Sequence, residues 1–165
     1  MSLAVGIAAV LLAALAQAAV MPSFWVFGVH PSLIIVLLVS WMSIRGQREA
    51  LFLIPAAGFV LGLLADEPVG LAMLALAPLV LMTEVRELRL VESELVPAIF
   101  LTVVGTLVYE TTVLISLAMR GEPVSWLASV IDVLVPAAIA NALLLLPVYA
   151  VLRLASLDLR RPRML

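Results

Sequence analysis

The chain has 165 residues, 65% of them apolar and only 12% charged, with a formal net charge of −2. Ordinary soluble domains are about half apolar and about a quarter charged, and a globule this small could not hide the excess without paving its surface with Leu and Val. The composition therefore predicts a chain dissolved in lipid; it excludes disulfides and thiolate metal sites, cysteine being absent, and offers no basic patch of the size nucleic acid requires.

A helix that crosses a bilayer needs roughly 20 apolar residues, with about 17 as a working minimum. Leu3–Val20 meets that, interrupted only by Gln17. Pro31–Ile44 is shorter, and the aromatic run Phe24–Trp25–Val26–Phe27 offers to extend it beyond a kink at Pro31. Ala50–Ala65 and Val69–Met82 follow, joined by Asp66–Glu67–Pro68, a connection short enough for a tight antiparallel hairpin. Leu95–Met119 is a long fifth segment, and Trp126–Leu152 a sixth, broken by Pro136 and Pro147. The expectation is an all-α polytopic bundle of about six transmembrane helices in one domain over residues 1–165, with approximate spans 3–20, 24/31–44, 50–65, 69–82, 95–119 and 126–152.

Arginine placement sets the orientation, because cytoplasmic loops are enriched in basic residues. Arg45 and Arg48 lie between segments two and three, Arg86 and Arg89 between four and five, and Arg153, Arg160, Arg161 and Arg163 in the tail. With both termini inside, these eight face the cytoplasm and only Arg120 lies outside. Ala16–Gln17–Ala18 resembles a signal-peptide cleavage site, but the basic region that precedes such a site is missing, so the first segment is expected to remain as a span.

The polar residues inside these segments are the candidates for a site. Gly58, Gly62 and Asp66 recur every four residues on the third, a spacing that lets two helices approach closely. On the fifth, Glu110 has Thr106 and Thr102 at four-residue spacing, and Thr102, Gly105, Tyr109, Thr112 and Ser116 form a second row. An acid at that depth either marks a binding or docking face or, protonated, glues one helix to the next. On the sixth, Asn141 lies deeper than Asp132, on the opposite face of an ideal helix, and Asp132 is expected to reach the outer interface. The loop Thr83–Glu94 reads as a short amphipathic helix at the inner surface. No catalytic residues and no metal site are expected: the single histidine is His30, and neither a nucleophile elbow nor a phosphate-cradling loop is present.

Several modest motifs recur in a telling order. Gln17 closes the first segment and Pro22 follows; Pro31 opens a second that ends at Trp41 before Arg45–Gly46. Gly58–Phe59, Gly62–Leu63–Leu64 and Asp66 come next, then Gly70–Leu71, and finally Asn141, Pro147–Val148–Tyr149 and a basic tail. This order resembles the rod shape-determining membrane protein MreD family across most of the chain. The resemblance implies a non-enzymatic scaffold of the bacterial elongasome, in the cytoplasmic (inner) membrane, without a cofactor. Its partners would be the transmembrane helix of MreC, then RodA, a class B penicillin-binding transpeptidase and MreB, around peptidoglycan synthesis and rod cell shape. It also implies a fold similar to the S-components of energy-coupling-factor vitamin transporters, whose six helices enclose an outward pocket. A true S-component is the alternative reading. Gly58, Gly62, Asp66, Thr102, Thr106, Glu110 and Asn141 are the candidate partner- or ligand-binding residues.

Overall fold

The structure is a computed structural model that describes residues 3–20, 23, 26, 28–64, 69–82 and 95–158. The described chain folds as six apolar helices: α1 (Leu3–Ala19), α2 (Leu33–Arg45), α3 (Gln47–Leu64), α4 (Val69–Met82), α5 (Leu95–Met119) and α6. The last has three parts, Trp126–Ser129, a π turn over Val130–Leu134, and Val135–Asp158. Two stretches, Leu95–Met119 and Trp126–Ala155, are long and apolar enough to cross a membrane, while α1 and α2 are shorter apolar helices.

The centre of the bundle is α2. All ten residues from Ile34 to Ser43 are buried, which is why this segment shows no amphipathic pattern: a helix enclosed on every side needs no polar face. It packs against α1, α3, α5 and α6, while α1, α3, α4, α5 and α6 succeed one another in contact around it. Ser32 caps its first turn, with extended backbone (φ −92°, ψ 101°) and an Oγ that accepts from the Ile35 N–H. At the other end Gly46 has φ +98°, a conformation that disfavours residues with a Cβ, and the chain turns at once into α3.

Small residues set the spacing of the surrounding helices. A Cβ built on Gly58 would lie 2.6 Å from the Met73 Cα, so α3 and α4 touch backbone to backbone there. Gly6 sits against Leu53 and the Trp41 ring, seating α1 on α3 and α2, and Gly105 receives the end of Leu79 where α4 meets α5.

The observed helices differ in extent from three of the expected spans. The second does not extend through Val26: Val26 and Val29 exchange backbone hydrogen bonds of 3.0 and 3.1 Å in a tight reverse turn with Gly28 at φ +81°, and the helix starts at Leu33. Phe24, Trp25 and Phe27 lie outside the described residues. The third helix begins at Gln47, three residues early. The sixth is not broken at Pro147, whereas at Pro136 its α ladder is interrupted without the helix ending. It runs through Pro147 and passes Pro136 by widening into the π turn just before it, then continues to Asp158. The proline ring would otherwise crowd the carbonyl four residues back, and the wider turn relieves that.

Candidate functional site

The first turn of any helix leaves backbone N–H groups without partners inside the helix, and burying them unpaired is costly. At the start of α2 three buried amides, of Ser32, Ile34 and Ile35, are met by side chains, two of them from other helices. The Ser32 N–H donates to Asn141 Oδ1 of α6 at 2.6 Å, and the Ile34 N–H to Gln17 Oε1 of α1 at 3.1 Å. Ser32 Oγ donates to the same Gln17 oxygen at 3.4 Å while accepting from the Ile35 N–H at 3.5 Å. The other end of the Asn141 amide donates through Nδ2 to Thr106 Oγ1 of α5 at 2.9 Å. That hydroxyl in turn donates to the Thr102 carbonyl at 2.7 Å, and the Thr102 hydroxyl to the Ala98 carbonyl at 2.9 Å. Thr102 and Thr106 are fully buried, and Asn141 is 1% exposed. One carboxamide therefore joins α2, α5 and α6, and a second ties α1 to the same point.

The knot lies halfway along the long helices. Thr106 is eleven residues after Leu95 and thirteen before Met119; Asn141 is fifteen after Trp126 and seventeen before Asp158. The partial positive charge at the α2 N-terminus is thus held at mid-height, and its neighbours are neutral carboxamide and hydroxyl oxygens of this same chain.

Of the expected site residues, the structure brings together Thr102, Thr106 and Asn141. Glu110 stands one turn beyond Thr106 and is half-buried; the groups that accept from the Ser32, Ile34 and Ile35 amides do not include it. Gly58 and Gly62 are both buried on α3, with Gly58 against α4 and away from the knot. Asp66, the loop Thr83–Glu94 and the tail arginines Arg160, Arg161 and Arg163 lie outside the described residues. Asp132 is exposed and Asn141 buried, in keeping with opposite faces of α6. The stripe along α5 is less polar than its composition: Thr111 and Thr112 bond the carbonyls of Leu107 and Val108 at 2.6 and 2.8 Å. With Val104, Leu107 and Val108 they line a shallow groove of about 230 Å³.

Two members of the knot, Gln17 and Ser32, were not among the expected site residues. A signal for each exists in the sequence. Gln17 is the single polar interruption of the first apolar run, and Ser32 stands immediately before a second one, where an N-cap belongs.

A smaller polar cluster closes the opposite end of α2. Trp41 Nε1 donates to Glu49 Oε2 at 3.0 Å, and the Arg45 guanidinium lies over the Trp41 ring, 5.7 Å from its centre. These contacts pin the α2–α3 corner around Gly46. Among the described residues, no three His, Cys, Asp or Glu side chains come together in a way that could hold a metal ion.

Comparison with protein families, curated proteins and solved structures finds no match for this chain.

Proposed function

We propose that this chain is a six-span scaffold of the bacterial cytoplasmic membrane, similar to MreD, that holds the transmembrane helix of MreC and thereby helps to regulate peptidoglycan synthesis and rod shape. Both termini lie in the cytoplasm on this reading, and the protein carries out no reaction itself. RodA, the class B penicillin-binding transpeptidase and MreB are its wider partners.

Immersion in lipid is supported by the girdle of large apolar side chains on every helix around α2. Leu12 (69% exposed), Leu63 (60%), Leu74 (63%), Leu143 (53%) and Leu154 (66%) stand on four different helices, and in water so many would form adhesive patches. The shortness of α2, about 20 Å for 13 residues, is compatible with that setting. A helix that starts inside a bilayer is tolerated where its end is enclosed by protein.

The observation that carries the scaffold reading over the solute-carrier alternative is the knot at Asn141. A carrier would be expected to hold open polar groups at mid-height for its cargo. Here the Ser32, Ile34 and Ile35 amides at the α2 N-terminus are taken up by Asn141, Gln17 and Ser32. The arrangement spends its polar groups on fixing helices, which is what a scaffold requires.

The test is purification of the tagged chain from its native membrane in mild detergent, with mass spectrometry of the proteins and small molecules that accompany it. An MreC-like single-span protein with penicillin-binding partners is the expected result. An ATPase module with a bound vitamin would replace the scaffold with the carrier.

A further inference from the structure

The last helix contains a break in its backbone ladder at the point where its burial begins. Within Val130–Leu134 the hydrogen bonding is that of a π turn, the Val135 N–H reaching the Val130 carbonyl, and the next residue, Pro136, has no N–H to offer the carbonyl of Asp132. No residue from 126 to 133 is buried, whereas Leu134, Ala137, Ala138, Ala140 and Asn141 all are. Below the break α6 is therefore clamped, by packing and by the Asn141 carboxamide between Ser32 and Thr106. Above it Leu127 is 76% exposed and Ile131 60%. The far end of this segment follows a second backbone articulation. Helix α5 closes in a Schellman motif, the Glu122 N–H on the Leu117 carbonyl and the Gly121 N–H on that of Ala118, with Gly121 at φ +84°. By contrast α5 itself runs as unbroken α-helix from Leu95 to Met119.

We infer that Trp126–Leu134 is a hinged arm, which pivots at the π turn and Pro136 against a fixed α5 while the rest of α6 stays in place. The motion changes the gap between α5 and α6 at this end of the bundle and leaves the knot untouched. A swing of about 25°, ordinary for a proline- or π-associated kink, acting over the seven-residue separation of Leu127 from Leu134, roughly 10 Å of helix, displaces Leu127 by about 4 Å. This inference stands on the backbone of α6 and does not depend on the scaffold reading.

The chain has no cysteine, so nitroxide pairs can be placed without removing native thiols. We would compare the purified Leu127→Cys/Phe100→Cys protein, arm against base, with Ile115→Cys/Phe100→Cys, post against base, by pulsed electron–electron double resonance. Because the arm pair lies mostly along the helix axis, a lateral swing of about 4 Å is expected to broaden it by about 1–2 Å relative to the post pair, and Pro136→Ala in the same background to narrow it to the post pair's width. Equal widths in the wild-type background overturn the hinge. So does a broad arm pair that Pro136→Ala leaves unchanged, since the width then comes from fraying at Ser125. Where Pro136→Ala fails to fold, hydrogen exchange of the wild type decides: faster exchange at Ile131–Val135 than at Thr111–Ile115 keeps the hinge, and equal protection removes it.

Discussion

Around α2, every residue from Ile34 to Ser43 is buried and the amides of Ser32, Ile34 and Ile35 have acceptors; along residues 107–119 of α5 and 126–133 of α6, none is buried. Both regions are rich in Leu, Val and Ile, so hydrophobicity does not separate them. The difference lies in small residues and carboxamides. Gly6, Gly58, Gly105, Ala14, Ala57, Ala98 and Ala138 let backbones close up in the first region, and close approach multiplies the van der Waals contacts between helices. Residues 107–119 have no glycine, and their threonines at 111 and 112 bond their own helix. The first region is thus specified by close backbone packing and buried hydrogen bonds together, whereas the second has no buried residue.

The comparison can be broken at its strongest point by forcing α3 and α4 apart. Gly58→Leu places a branched side chain where even a Cβ would meet the Met73 backbone; we expect a loss of 3 kcal/mol or more, at the upper end of about 1–3 kcal/mol for overpacking, or no folded protein. Thermal unfolding in detergent followed by circular dichroism reads it, and a melting point like that of the unsubstituted chain would mean that the two helices do not meet there. Next comes Asn141→Leu, which strips the acceptor from the Ser32 N–H and the donor from Thr106. Leaving a buried group unsatisfied costs about 1–3 kcal/mol. The expected loss is about 2 kcal/mol, with faster hydrogen exchange at Ser32–Val36 and little change in residues 111–119.

Trp41→Phe keeps a ring beneath Arg45 but removes the bond to Glu49. About 1 kcal/mol should go with that hydrogen bond, and the Glu49→Gln protein, which retains an acceptor, should lose less. The smallest effect is assigned to the other region. Leu127→Ala truncates a side chain that is 76% exposed, and surface changes usually fall within about 0.5 kcal/mol. A loss of 2 kcal/mol from this substitution would show that the arm of α6 is covered by something in the folded protein and would erase the contrast between the two regions.

How far the sequence could be read differs by element. The spans 69–82 and 95–119 coincide with α4 and α5, since both are continuous apolar runs with polar residues at each end. The run at 24–44 misled because aromatic and apolar residues continue across Pro31 while the backbone does not: the turn at Gly28 and the cap at Ser32 divide it. Pro147 of α6 misled in the opposite sense, since the helix runs through it, while at Pro136 a π turn interrupts the α ladder without ending the helix. Glu110 drew attention as the acid in an apolar helix, yet the amides of α2 are satisfied by the less conspicuous Gln17, Ser32 and Asn141. A charge is visible in one dimension; the partner of an amide is not.

What the sequence determined by itself is the helical, apolar character of the chain and the rough position of its six segments, because length and hydrophobic run are local properties that need no partner. It also marked Gly58, Thr102, Thr106 and Asn141 as exceptions within those segments. Only the tertiary structure decided that α2 is the enclosed centre, that Asn141 reaches Ser32 across 109 residues of chain, and that α5 and α6 stand apart from the rest beyond mid-height. Those outcomes depend on which helix faces lie together. An apolar helix surrounded on all sides carries no periodic pattern from which its neighbours could be read.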